Sequence, residues 1–416
     1  LIRLVQALRF RCLQHVDQEL ADFHVLVGPN GSGKTAFLDA IAFLGDLVSG
    51  GLAKAVEERT PNFADLVWRK QDGHFEIAVE LDIPATLRSA LERQSHSLVR
   101  YEAAIGFDGE TRELAISAER VLLKGSTRRR APRQASLFPR PVSPPSSILS
   151  AGSPSGTRTV VNKVPGGNDN FYDETGKGWD HAFKLGPRKS ALANLPEDET
   201  RFPVATWLKA VLAEGIQALA LNSRAMRRPS PPGQQRGFLP DGSNLPWVVD
   251  RLRTERPDSF RQWIAHLQGP FPQIEDIETV ERPEDRHRYL LIRYRGDLRV
   301  PSWAASDGTL RLLALTLPAY LPDLQGVFLI EEPENGIHPR AVEAVFQSLS
   351  SVYGAQVLLA THSPVVLGIA DPAAVLCFAK TNAGATDIVA GSAHPALRDW
   401  RGETNLAVLF AGGVLG

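Results

Sequence analysis

The chain has 416 residues, 43% hydrophobic and 22% charged, with a formal net charge of −1 at pH 7. That length buries a sizeable core in two or three domains, or in one domain with a large insertion, and the near-neutral balance gives no global pull toward nucleic acid. Cys12 and Cys377 lie far apart with no C-x-x-C pair, which argues against a zinc site or disulfide framework and for a reducing cytoplasm. With no run of about 18 apolar residues and no signal-peptide pattern, neither a membrane span nor secretion is expected.

Leu4 to Glu19 alternates as two antiparallel strands. His24-Val25-Leu26-Val27 reads as a short buried strand and Ala36 to Leu44 as an apolar helix. Between them, Gly28-Pro29-Asn30-Gly31-Ser32-Gly33-Lys34-Thr35 fills every fixed position of G-x-x-x-x-G-K-[ST], a loop that binds the phosphates of a nucleoside triphosphate. Glycines let the backbone approach the anion, and the N–H groups of Asn30 to Gly33 and the helix N-terminus face it. Lys34 supplies a point charge and Thr35 a hydroxyl for Mg²⁺.

Residues 75–123 alternate strand-like segments with one helical stretch, Ala85 to Arg93. Residues 124–200 form a basic insertion whose first part, 125–158, is rich in Pro, Ser, Gly and Arg and reads as a mobile or partner-ordered loop, with Arg128, Arg129, Arg130, Arg133, Arg140 and Arg158. Between 120 and 190 there are thirteen Lys or Arg against four Asp or Glu, so the rest of the chain is net acidic. Such a stretch fits either contact with a DNA or RNA backbone or a solvated loop; no aromatic platform is interleaved with the arginines.

Residues 201–270 read as a helical lobe, with helices over Val204 to Leu221 and Leu245 to Leu267, the second interrupted at Pro257 and followed by strands Ile274 to Glu281 and Arg288 to Tyr294. Arg224, Arg227 and Arg228 form a second basic cluster near the end of the first helix, where cations are favoured. No heptad run supports a coiled-coil arm.

Residues 271–416 carry the remaining motifs. Ser306-Asp307-Gly308-Thr309-Leu310-Arg311 is a small-polar turn opening an apolar helix, suited to an anion or to a plain N-cap. Gly326-Val327-Phe328-Leu329-Ile330-Glu331-Glu332-Pro333 is an apolar strand ending in acids: Glu331 falls beside the Mg²⁺ of Thr35, and Glu332 is placed to orient or deprotonate a water. After a further strand, Gln356 to Ala360, comes Thr361-His362-Ser363-Pro364, with an imidazole at the strand's C-terminal end, within reach of a γ-phosphate. Val375 to Ala379 and Thr386 to Val389 read as closing strands and Leu406 to Phe410 as a terminal helix. No H-E-x-x-H, G-x-S-x-G or Cys-His cluster is present.

In this order the motifs resemble the ATP-binding-cassette ATPases, in the RecF, SMC and OLD-like branch of AAA family ATPases rather than the transporters. The resemblance covers about residues 2–50 and 288–375. It implies an α/β head, a P-loop mixed sheet with helices plus an antiparallel β-subdomain, with the helical lobe as an insertion and residues 1–123 as the N-terminal ATPase lobe. It further implies ATP and Mg²⁺ as ligands, with Lys34, Glu332 and His362 in catalysis. Ser306, Gly308 and Thr309 would contact the γ-phosphate held by a second copy, giving an ATP-bridged head-to-tail homodimer or a higher oligomer. Phe10 and Arg11 would lie near the nucleotide. Gln71 is the one candidate for the Q-loop glutamine, although Gln-Asp-Gly equally fits a hairpin turn.

Three positions depart from the family pattern: Glu331 replaces the usual aspartate, the signature is S-D-G-T, and His338 stands at the D-loop aspartate. Glu-Glu-Pro-Glu-Asn-Gly-Ile-His-Pro is similar to OLD-type and related anti-phage ATPases, but the TOPRIM nuclease acids of OLD proteins are missing after His362, so a separate nuclease or toxin is the expected effector. The expectation is a cytoplasmic ATP-hydrolysing switch, in anti-phage defence or DNA repair, that controls a nucleic-acid-related or effector protein. The alternatives are an ATP-dependent scaffold sequestering a toxin-like partner and a RecF-like repair ATPase.

Overall fold

The computed structural model describes residues 1–71, 73–125, 143–152, 156–164, 166–234 and 237–393. Its first half runs β1 (Ile2–Phe10), β2 (Leu13–Glu19), β3 (Phe23–Val27), α1 (Lys34–Glu57), β4 (His74–Asp82), the one-turn α2 (Ala85–Arg88), β5 (His96–Phe107), β6 (Leu114–Gly125), β7 (Thr157–Lys163), β8 (Asp169–Phe171) and β9 (His181–Phe183). All these strands except β3 form one antiparallel sheet, in the order β2-β1-β4-β5-β6-β7-β8-β9.

Antiparallel strands therefore continue into the basic stretch. Ser147 and the Ile148 N–H bond to Glu76 and Ser150 bonds to Glu102, which seats this segment on the sheet. Arg158 is no free basic group: it pairs with Glu92 and donates to the Asp173 carbonyl. Arg128, Arg129, Arg130, Arg133 and Arg140, like the expected helix Leu406 to Phe410, lie outside the described residues.

The second half runs α3 (Pro203–Ala210), β10 (Ile216–Leu219), α4 (Ser223–Arg227), α5 (Leu245–Glu255), α6 (Pro257–Gln268), β11 (Ile274–Glu281), β12 (Arg288–Tyr294), β13 (Leu298–Pro301), α7 (Asp307–Thr316), β14 (Gly326–Glu331), α8 (Pro339–Ser350), β15 (Ala355–Ala360), α9 (Pro364–Ile369), β16 (Val375–Lys380) and β17 (Thr386–Ala390). The single helix expected over Val204 to Leu221 is corrected here. Helix α3 widens into a π-type turn at Val211–Gly215, and Ile216–Leu219 pairs in parallel with β14. Those residues take the strand because β14 offers them a row of backbone partners, which local helical spacing cannot reveal.

The central sheet has the order β10-β14-β15-β3-β16-β17, parallel except for β17. It is buried on both faces, which explains the near-continuous apolar runs. Leu26, Leu329, Leu358 and Phe378 pack toward α1 and the antiparallel sheet, while Val27, Phe328, Ile330, Leu359 and Cys377 pack against the helices of the second half. Helix α1 is, among the described residues, the one helix long and apolar enough to cross a membrane; Phe37, Ile41, Leu44 and Leu47 are instead fully buried in the first of these cores. Strands β14, β15 and β3 are parallel neighbours. Residue 331 at the end of β14, and residues 361 and 28 just beyond β15 and β3, thus emerge at one edge of the sheet, where open α/β sheets bind ligands.

Candidate functional site

The turn from β3 into α1 needs glycine for steric reasons. A Cβ on Gly28 (φ +149°) would stand 2.2 Å from the Phe378 carbonyl oxygen, and one on Gly33 (φ +111°) 2.1 Å from Thr386 Oγ1. The same threonine hydroxyl donates to the Ser32 carbonyl at 2.8 Å, so strand β17 braces the loop from behind. Lys34 folds over the loop and donates to the carbonyls of Gly28 (2.8 Å) and Pro29 (3.1 Å). Burial lowers its pKa, while Glu332 and Glu331 pull it back up.

The acids arrive from β14. Thr35 Oγ1 donates to Glu331 Oε2 at 2.5 Å, bringing a hydroxyl and a carboxylate oxygen together at an exposed position. Two hard oxygens fit Mg²⁺, which takes one or two protein ligands and completes its shell with phosphate and water. Glu332 adopts the left-handed conformation, φ +46°, uncommon for a non-glycine residue, with its N–H on the Ala360 carbonyl at 2.8 Å. Its carboxylate accepts from the Asn335 side-chain amide and lies 3.8 Å from His362 Nε2. Burial, and then the Lys34 charge, hold the His362 pKa below its ordinary value, against the opposing pull of Glu332 and Glu334. A neutral imidazole near pH 7 follows, with one ring N–H to donate.

Lys34, Thr35, Glu331, Glu332 and His362 share one cleft of about 590 Å³ with Asn30, Gly31 and Gly33. Ser32 lies buried within the same loop. Of the two residues expected near the nucleotide, Arg11 lines the cleft and Phe10 does not: Phe10 is fully buried, edge-on to Phe75 at 5.0 Å. Gln71 is exposed and does not line the cleft; Trp68, Arg69 and Lys70 just before it do. The sequence signal was an aromatic followed by two cations, but tertiary ties, among them the bridge between Val67 and Phe10 and the bond from the Arg11 N–H to the Leu66 carbonyl, bring that segment to the cleft. The Arg69 guanidinium lies 5.2 Å from the Trp68 ring and donates to the Ala383 carbonyl.

Ser306, Gly308 and Thr309 lie outside this cleft. Ser306 caps α7, its Oγ accepting from the Thr309 N–H at 3.1 Å, and it remains exposed. Arg227, from the second basic cluster, pairs with Asp307 at 2.6 Å and donates to the Ala305 carbonyl, holding this turn in place. The turn after Glu332 supports the other side: a Cβ on Gly308 would stand 2.8 Å from the Gly336 carbonyl oxygen. His338, at the D-loop aspartate position, caps α8 by accepting from the Arg340 N–H.

Residues 23–368 match the protein family described as "AAA domain, putative AbiEii toxin, Type IV TA system". No curated protein matches the chain. Among solved structures, the Smc head bound to the C-winged helix domain of ScpA is similar, with 14% identity and a TM-score of 0.52 over 93% of this chain and 97% of that one. So is the Smc head domain with an extended coiled coil bound to the C-terminal domain of ScpA, derived from Pyrococcus furiosus, with 14% identity and a TM-score of 0.51 over 93% and 95%. At such identity the likeness is one of fold, an SMC-head α/β ATPase architecture. With most of its length covered by the family model and the phosphate-loop cleft at its centre, the chain belongs to the AAA-domain family of putative AbiEii type, with the fold of an SMC head.

Proposed function

We propose that the chain is an ATP-hydrolysing switch of the ABC type, working as a head-to-tail dimer that closes on ATP and controls an effector. The observation that carries this reading is the split of the motifs. Lys34, Thr35, Glu331, Glu332 and His362 share one cleft, whereas the turn from the exposed Ser306 to the half-buried Thr309 lies outside it. A second copy supplies that turn to complete the site.

In this reading Lys34 exchanges the Gly28 and Pro29 carbonyls for the β- and γ-phosphates of ATP, and the loop N–H groups and α1 N-terminus hold the remaining charge. Thr35 and Glu331 hold Mg²⁺, which neutralises developing phosphate charge when bound. Glu332 orients a water and takes its proton as the water oxygen bonds to the γ-phosphorus and the bond to the bridging oxygen breaks. His362 donates its ring N–H to the γ-phosphate. Phosphoryl transfer depends mainly on such positioning and charge compensation.

The partner is a separate effector protein, a nuclease or toxin, with DNA or RNA as a further candidate ligand of the basic stretch. The Smc heads named above are bound to ScpA domains, which supports a head that carries a partner protein. The family's toxin-system description favours a defence setting over DNA repair.

Replacing Glu332 by Gln tests the switch. ATP binding should persist, an ATP-dependent dimer should accumulate in sedimentation, and kcat should fall by about 100-fold or more. Ser306→Ala should weaken that dimer while leaving monomer ATP binding intact. Dimerisation and effector control unaffected by both changes would point instead to an ATP-dependent scaffold with slow turnover.

A further inference from the structure

Glu334, two residues beyond the proposed water-orienting acid, is left without a role by the chemistry above. One oxygen, Oε1, accepts from both Thr361 Oγ1 (2.6 Å) and the His362 backbone N–H (3.0 Å). Thr361 is fully buried; its N–H donates to the Leu26 carbonyl on β3, and its hydroxyl oxygen accepts from the Ser363 N–H. The other oxygen, Oε2, is buried and has no partner among the described residues. Every specific bond of this side chain therefore runs to the turn that carries His362.

The segment holding Glu334 also reaches the signature turn. Arg311, one turn into α7, donates to the Asn335 carbonyl at 3.2 Å, and the Gly336 carbonyl lies against Gly308. Asn335 also donates through its side chain to Glu332. Residues 332–336 thus touch the water-orienting acid, the His362 turn and the signature helix of the same subunit.

We propose that Glu334 is a positioning residue that fastens the His362 turn to residues 332–336, so that contact of His362 with the γ-phosphate moves the signature turn as one body. The proposal rests on the reading of the cleft as an ATP-hydrolysing site. A half-buried acceptor serving two donors is costly to remove, because both donors then lose their partner.

The two tests separate this idea from that reading. Hydrogen exchange on nucleotide-free protein reports the bonds without any hydrolysis. In Glu334→Ala the His362 amide, and peptides spanning 306–311, should exchange about tenfold faster or more, whereas Glu334→Gln, which keeps an acceptor oxygen in the Oε1 place, should restore protection. Unchanged exchange at His362 in Glu334→Ala, or a change there that never reaches 306–311, would overturn the coupling.

In turnover assays Glu334→Ala should lower kcat about 10- to 100-fold with ATP affinity, read by equilibrium titration, within about threefold of wild type. Glu334→Gln should recover most of kcat. An unaltered kcat in Glu334→Ala, or an equal loss in Glu334→Gln, overturns the positioning role. A wild-type protein that binds ATP and never hydrolyses it defeats the functional reading instead, while the exchange result still decides whether Glu334 couples the two turns.

Discussion

Thr35 and Glu331 stand 296 positions apart in the chain, yet the threonine hydroxyl donates to the glutamate Oε2 at 2.5 Å. The two reach each other because β3 and β14 both flank β15 in one parallel sheet, and their C-terminal ends open on the same edge. Glu331→Gln keeps the size of the side chain and removes its charge, so the Mg²⁺ concentration giving half-maximal nucleotide binding should rise about tenfold. A magnesium titration followed with a fluorescent ATP analogue reads this directly. An unmoved midpoint would remove Glu331 from the metal shell.

Gly33 tolerates no side chain. Alanine there meets Thr386 Oγ1 at 2.1 Å and must adopt a φ of +111°, so Gly33→Ala should destabilise the fold by about 1–3 kcal/mol and abolish nucleotide binding. Chemical denaturation and equilibrium titration measure the two effects. Wild-type behaviour in both would mean that β17 does not brace the loop.

Trp263 is fully buried, and its indole N–H donates to Thr316 Oγ1 at 2.9 Å. Thr316→Val leaves that donor unpaired in an apolar core, at a cost of about 1–3 kcal/mol. In a Trp263→Phe background the same change should cost much less, since no indole N–H remains. Equal costs in the two backgrounds, measured by denaturant melts, would show that the bond contributes nothing.

Glu174 accepts the N–H groups of Val204 and Ala205 at the start of α3, both at 2.8 Å. Burial pushes its pKa up from 4.5 to about 7, against the opposing pull of those two N–H donors. Between these values the folded chain keeps a proton that the unfolded chain has lost. The contribution to stability is therefore full below the unfolded value and falls as pH rises through about 7. The loss is on the order of 3 kcal/mol. Glu174→Gln should flatten the fall in unfolding free energy between pH 4.5 and about pH 7, and an unchanged slope would rule Glu174 out as its source.

The phosphate loop, the acids ending β14 and His362 after β15 were legible because each is a local event, a strand running out into a turn whose residue types suit an anion or a metal. So were β1, β2 and β4 of the antiparallel sheet, whereas β7, β8 and β9 were not, since they fall in the stretch read as a basic insertion. The helical spacing of Val204 to Leu221 misled at its end, because Ile216–Leu219 is drawn into the strand state by hydrogen bonds to β14, about 110 residues away. Phe10 and Arg11 are adjacent in sequence and part company in space, one into the core and the other into the cleft.

The sequence by itself determined that a phosphate loop, a pair of acids and a histidine each follow a buried strand, since periodicity and residue type are properties of short segments. Only the tertiary structure decided that β14, β15 and β3 lie side by side, so that those three ends make one cleft. It alone set Glu332 in the left-handed conformation and left Ser306 outside the cleft. Strand order and backbone geometry are settled by pairing and packing between segments hundreds of residues apart, and no local pattern encodes which partner a strand will meet.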